Sequence, residues 1–64
     1  MEKPIYKHRD RVEFISNKEK LIGVIVIIDA HGTFEQSEEP SYDIEVGDVL
    51  YKHIRQSKVI GLKL

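Results

Sequence analysis

Apolar and polar residues alternate along three short stretches of the chain, which is the pattern of strands with one buried face. These stretches are residues 11–15, 41–46 and 49–54. Because successive side chains of a strand point to opposite faces, each stretch presents one face to a core and the other to solvent. A last short apolar stretch, residues 59–64, ends the sequence. The alternation predicts an all-β domain.

One run, residues 21–28, is apolar without alternation, and six of its eight residues are β-branched. β-branched side chains favour a strand over a helix. Gly23 inside the run predicts a bend, a bulge or a close approach of the backbone, as a strongly curved strand requires. A strand that is apolar on both faces needs cover on both. We expect the domain core on one face, and on the other either the N-terminal residues or a second copy of the protein.

Turn chemistry separates the predicted strands. Asn17 is suited to a left-handed position in a turn over residues 16–19, and Gly47 with Asp48 predicts a two-residue hairpin turn. Residues 29–40 form a long polar loop, and residues 55–57 are long enough for only a single helical turn. The hairpin turn predicts three facing pairs on one side of the sheet: Val46 with Val49, Ile44 with Tyr51, and Tyr42 with His53.

This order of strand, turn, long strand, loop, tight hairpin, helical turn and final strand resembles the SH3-like barrels, Tudor and KOW modules included. The resemblance covers residues 10–64 and is greatest over residues 42–51 and 55–59. It implies a single small five-stranded SH3-like barrel with one short helical turn before the last strand. The chain has no tryptophan for the peptide groove of signalling SH3 domains, and it lacks the basic glycine-centred KOW motif. Residues 32–44 also resemble short uncharacterised proteins carried by prophages and other mobile elements of Gram-positive bacteria, which implies an accessory or inhibitory factor.

The length of 64 residues limits the chain to one domain. We expect a loosely ordered lead-in over residues 1–9 and the barrel over residues 10–64. The chain has no cysteine, which excludes disulfides and thiolate zinc sites. No stretch is long and apolar enough to span a bilayer, and the first residues do not resemble a signal peptide. The sequence therefore predicts a cytoplasmic protein that does not associate with membranes.

Charge is segregated along the chain. Residues 29–48 carry seven carboxylates and no Lys or Arg, whereas residues 49–64 carry four basic residues and no carboxylate. Segregated charge either steers a partner or forms two solvated strips that attract each other in the folded protein. Protein binding through the acidic loop is the favoured function: an aromatic anchor among carboxylates can dock on a basic surface, and in an extreme form imitate nucleic acid. The predicted contact residues are Asp29, His31, Phe34, Glu35, Glu38 and Glu39. Phe34 is equally suited to closing one end of the barrel.

The alternative function is nucleic-acid binding by the basic C-terminal strip. Its predicted contacts are Tyr51, which would stack on a base, with Lys52, Arg55 and Lys58 along a phosphate backbone. A sequence pI of about 6.3 is low for such a domain. The same basic residues also serve to keep exposed strand edges soluble and unpaired.

A homodimer is a further possibility, through Leu21, Ile25 and Ile27 if these side chains point outward. Ile5 and Tyr6 of the lead-in are the alternative cover for that strip. Catalysis is not expected, since no serine lies in a nucleophile motif and the three histidines are scattered. His31 near Asp29 and Glu35 offers ligand types but no known metal-site spacing. The sequence therefore predicts no catalytic residues, no metal and no cofactor.

Overall fold

The computed structural model of the protein describes residues 3–31 and 39–64. They form five strands: β1 (Arg11–Ser16), β2 (Glu19–Asp29), β3 (Ser41–Val46), β4 (Val49–Arg55) and β5 (Val59–Leu62). A 3₁₀ turn, Gln56–Lys58, precedes β5. All neighbours are antiparallel, in the order β4-β3-β2-β1-β5. The all-β class, the five strands and the helical turn before the last strand are confirmed, with the turn one residue later than predicted.

β2 changes its pairing partner at the middle of its length. Its first half, up to Val24, pairs with β1, and its second half, from Val24 to Asp29, pairs with β3. The backbone of β3 comes close at Gly23, where a β-carbon would stand 2.5 Å from the carbonyl oxygen of Glu45. The sequence prediction of a close backbone approach at this glycine is confirmed.

Both hairpin turns contain two residues. Asn17 and Lys18 have φ of 50° and 68°, which is the type I′ pattern that fits the twist of a β-hairpin. Gly47 has φ of 58° and Asp48 is not in the left-handed region, as in a type II′ turn with glycine in first place. Val46 therefore faces Val49 and Ile44 faces Tyr51, as the sequence predicted.

The predicted pairing of Tyr42 with His53 is wrong, because a β-bulge at His53 shifts the register and Tyr42 faces Ile54 instead. His53 has φ of 60°, and its backbone N–H donates to Asp43 Oδ1 at 3.1 Å. The carboxylate thus satisfies a backbone group that the bulge removes from the ladder. The extra residue also leaves Tyr51 and Ile54 both facing the core, so Lys52 and Arg55 share the outer face of β4.

The core lies inside the curved sheet. Val12 and Phe14 of β1, Ile25 of β2 and Ile44 of β3 are completely buried, and Phe14 packs edge-to-face on Tyr51 at 5.6 Å between ring centroids. The remaining buried or partly buried apolar residues of this cluster are Tyr6, Leu21, Ile28, Tyr42, Val46, Ile54 and Val59.

Leu21 and Ile25 do not point outward from β2, as the predicted dimer contact requires. Ile25 is completely buried and Leu21 packs against the core, so neither belongs to an outer surface. A bulge between Ile25 and Ile27 restarts the alternation, which turns Ile27 outward and Ile28 inward. Of the three residues predicted for a dimer contact, only Ile27 is exposed.

The described part of the lead-in makes backbone hydrogen bonds to β2. The N–H of Arg9 donates to the carbonyl of Ile25 at 2.8 Å, and the N–H of Ile25 donates to the carbonyl of Asp10 at 2.9 Å. These bonds extend the β1–β2 ladder. Tyr6 packs edge-to-face on Tyr42 at 5.8 Å between ring centroids. Tyr6 of the lead-in therefore packs on the core, whereas Ile22 and Ile27 on the outer face of β2 are exposed.

Candidate functional site

The acidic loop leaves and rejoins the sheet at adjacent positions, because Asp29 at the end of β2 pairs with Ser41 at the start of β3. At the exit, the N–H of His31 donates to Asp29 Oδ1 at 3.1 Å in an Asx-type turn. Both residues are exposed. The described ends of the loop are thus fixed by the sheet, and the loop is presented from a rigid base.

Glu39 fixes the return of the loop. Its Oε1 accepts the backbone N–H of Ser57 at 2.8 Å, and its Oε2 accepts the Ser57 hydroxyl at 3.3 Å. These bonds connect the end of the loop to the 3₁₀ turn. The Glu39 carboxylate therefore has a structural role whether or not it also contacts a partner. The other predicted loop contacts, Phe34, Glu35 and Glu38, lie outside the described residues.

The basic strip is exposed on β4 and the 3₁₀ turn. Lys52, Arg55 and Lys58 are all exposed, and the one ion pair among the described residues joins Lys63 to Glu13, at 3.8 Å. Tyr51 differs from these three, because its ring is half-buried against Phe14. The structure thus places Lys52 and Arg55 on β4 and Lys58 in the turn that follows, whereas the Tyr51 ring packs against the core.

Gln56 is a structural position beside the loop that the sequence analysis missed. It is buried at 7 % exposure, and its side-chain oxygen accepts the N–H of Ile5 at 3.1 Å and the hydroxyl of Tyr42. Its amide nitrogen donates to the carbonyl of Lys3 at 3.2 Å, and its backbone N–H donates to the carbonyl of Pro40 at 2.9 Å. The side chain thus joins the lead-in to β3, and the backbone of the same residue holds the end of the acidic loop. A lone glutamine in a polar turn carries no sequence signal for such a role.

Burial raises the pKa of the Tyr42 phenol, although the backbone N–H groups of Tyr6 and Ile5 partly oppose that shift. Because the pKa of this phenol is higher in the folded protein than in the unfolded chain, the unfolded chain loses the proton at a lower pH than the folded protein does. Its contribution to stability is therefore complete below the unfolded-state pKa, near pH 10, and is lost as the pH rises through the folded-state pKa.

Replacing Tyr42 with Phe tests this titration. The variant loses the hydrogen bond to Gln56, so we expect it to be about 1 kcal/mol less stable than the parent at neutral pH. Above pH 10 the difference in unfolding free energy between parent and variant should shrink. The parent loses stability there because its unfolded chain ionises this phenol more readily than the folded protein does, whereas the variant has no phenol at this position. Urea unfolding from neutral pH to pH 11 measures the difference. A gap that stays constant over that range contradicts the argument.

Comparison of the chain with protein-family models, with curated proteins and with solved structures finds no match. Among the described residues, no three His, Asp or Glu side chains are grouped closely enough to hold a metal ion. Nor does this part of the chain contain a helix of the length and apolar character needed to cross a membrane.

Proposed function

We propose that the protein is a non-catalytic interaction module that docks its acidic loop on a basic surface of another protein. The observation that carries the proposal is the closed base of the loop, where the Asp29–Ser41 pair, the Asp29–His31 turn and the Glu39–Ser57 bonds fix both ends. A loop on a rigid scaffold loses less conformational entropy on binding than a free segment does. The charge of the loop then steers encounter with a basic partner.

The resemblance to small proteins of mobile elements supports a more specific form of the proposal. In that form the partner is a host protein, and occupation of its basic surface inhibits it. Phe34 supplies the apolar anchor, Glu35 and Glu38 supply the charge, and Asp29 and His31 flank them at the exit from β2. Glu39 contributes mainly by holding the loop, because both its carboxylate oxygens already bond to Ser57.

The loop is tested by neutralising two of its charges while Glu39 is left in place. A variant with Glu35→Gln and Glu38→Gln keeps Glu39 and its bonds to Ser57. We expect a tagged form of this variant to capture at least about tenfold less partner protein than the parent from nuclease-treated bacterial lysate. A tenfold weaker affinity corresponds to a loss of about 1.4 kcal/mol in binding free energy. Glu19→Gln, on the opposite hairpin, is the matched control and should capture as the parent does. Equal losses in the two variants contradict the loop assignment.

Nucleic-acid binding is the second candidate, favoured by the bulge at His53. Because the bulge places Lys52 and Arg55 on the same outer face, near the turn that carries Lys58, these cations are free to follow a phosphate backbone. The half-buried Tyr51 ring leaves charge as the main source of affinity. The same capture experiment distinguishes the two candidates. Recovery that disappears with nuclease, or with Lys52→Gln, Arg55→Gln and Lys58→Gln combined, assigns binding to the basic strip instead of the loop.

A further inference from the structure

The outer face of β2 is an exposed apolar strip in the middle of the sheet. Ile22 and Ile27 are exposed on it, and Val24 lies half-buried between them. We refer to these three residues as the β2 strip. Leu50 of β4 is also exposed and lies in the same cross-strand row as Val24, since Val24 pairs with Glu45 and Glu45 pairs with Leu50. Tyr6 of the lead-in packs instead on Tyr42 of the core.

Charges of opposite sign flank the β2 strip. Val24 pairs with Arg11 of β1 on one side and with Glu45 of β3 on the other. Both charged residues are exposed. Their backbones are separated by two strand spacings, about 10 Å, so they face solvent on either side of β2 and do not pair directly across Val24. The edges of the strip therefore carry unlike charges.

The acidic character of the β3 side continues along the strip, because Asp43 pairs in register with Ile27. On the β1 side, Glu13 and Lys63 pair with each other at 3.8 Å, so their charges offset one another. Arg11 is then the cation that sets the polarity of that side. The β3 edge of the strip is thus acidic, and it lies across β2 from the positive charge of Arg11.

We propose that the β2 strip is a homodimer interface in which two copies pack face to face about a two-fold axis parallel to β2. Such an axis places each residue of the β1 edge over the β3 edge of the other copy. Arg11 of one copy then meets Glu45 of its partner, and symmetry makes this contact twice. Val24 faces Val24 across the axis, with Ile22 and Ile27 on either side of it. An axis perpendicular to β2 would instead put Arg11 over Arg11.

The expected dimer is weak and depends on concentration. The strip contains few apolar side chains, and interfaces at the low end of the size range, below about 1,200 Å² in total, are transient. The apolar contacts supply most of the affinity, and the Arg11–Glu45 contacts select the arrangement and speed the encounter. This interface does not involve the acidic loop, so it stands or falls separately from the proposed docking function.

Reversing the charge of Arg11 or of Glu45, and then mixing the two variants to restore the attraction, tests the arrangement. Sedimentation velocity of the parent, from low micromolar to millimolar concentration, should show dimer at the upper end. Arg11→Glu alone and Glu45→Arg alone should each lower the association constant at least about tenfold, since each turns two attractions into repulsions. An equimolar mixture of the two variants should dimerise at least as well as the parent, because every charge contact between unlike chains is then attractive.

A matched apolar pair tests the location. Ile27 and Val49 are equally exposed at 54 %, but Val49 lies at the β3–β4 turn and outside the strip. Ile27→Asp should abolish dimerisation, whereas Val49→Asp should leave it unchanged. Circular dichroism verifies that each variant keeps the sheet. A parent that remains monomeric at millimolar concentration overturns the proposal, as does a mixture that fails to dimerise or an equal effect of the two aspartates.

Discussion

Replacing Gly23 with Ala should destabilise the protein by about 3 kcal/mol or more, at the upper end of the range for overpacked cores. The new β-carbon would stand 2.5 Å from the carbonyl oxygen of Glu45, and 2.8 Å from side-chain carbons of both Ile44 and Val46. Two of these contacts are with side chains, but the closest is with backbone of β3, which cannot move aside without losing the β2–β3 ladder. A domain of this size has only about 3–10 kcal/mol of stability, so the unfolded population should rise strongly.

The other glycines of the sheet provide controls for this result. A β-carbon on Gly61 would meet nothing within 4 Å, so Gly61→Ala should change the unfolding free energy by no more than about 0.5 kcal/mol. A β-carbon on Gly47 also meets nothing, but Gly47 has φ of 58°, so Gly47→Ala should cost about 1–2 kcal/mol from backbone strain alone. Urea unfolding of the three variants gives the comparison. The loss in unfolding free energy should be largest for Gly23→Ala, smaller for Gly47→Ala and smallest for Gly61→Ala. Any other order contradicts the steric explanation.

Replacing Gln56 with Ala should cost about 2–4 kcal/mol, because it leaves several polar groups without their partner at a buried position. The hydroxyl of Tyr42, the N–H of Ile5 and the carbonyl of Lys3 all bond to this side chain. We also expect the lead-in to be released, so the amide of Ile5 should lose its protection against hydrogen exchange. The backbone bond from Gln56 to Pro40 does not need the side chain and should persist.

Two further variants separate the hydrogen bonds from general damage to the turn. Ser57→Ala removes an exposed hydroxyl from the same turn and should cost less than about 1 kcal/mol. Gln56→Glu keeps the shape but places a carboxyl in a buried site, which raises its pKa above the unfolded value. Its stability should therefore be greatest below about pH 4 and should fall as the pH rises through the folded-state pKa. A Gln56→Glu protein with the same stability at pH 4 and pH 7 contradicts the assigned burial of this side chain.

Both proposals for surface binding depend on which side chains the sheet exposes. The acidic loop depends on an anchored base, and the β2 strip depends on the register of β1, β2 and β3. The variants that test the strip, at Arg11, Glu45, Ile27 and Val49, all lie outside residues 29–40, so the two sets of variants change different residues.

The sequence by itself determined the local features of this protein. Alternation, β-branching and turn chemistry act between neighbouring residues, so they predicted the strands, the turn at Asn17, the hairpin at Gly47 and the close backbone approach at Gly23. The segregation of charge into an acidic and a basic segment was equally evident from the sequence. For each of these features, the residues that show the sequence pattern are also the residues whose interactions cause the structure.

Only the tertiary structure decided the features that depend on register and on distant partners. Each β-bulge inserts one residue and reverses the alternation that follows, which is why Ile27 is exposed although Ile25 is buried, and why Tyr42 faces Ile54. No local pattern marks these bulges, because the extra residue is chosen by the fit of one strand to the next. Gln56 was equally hidden, since its partners at Lys3 and Ile5 lie more than fifty residues away in the chain.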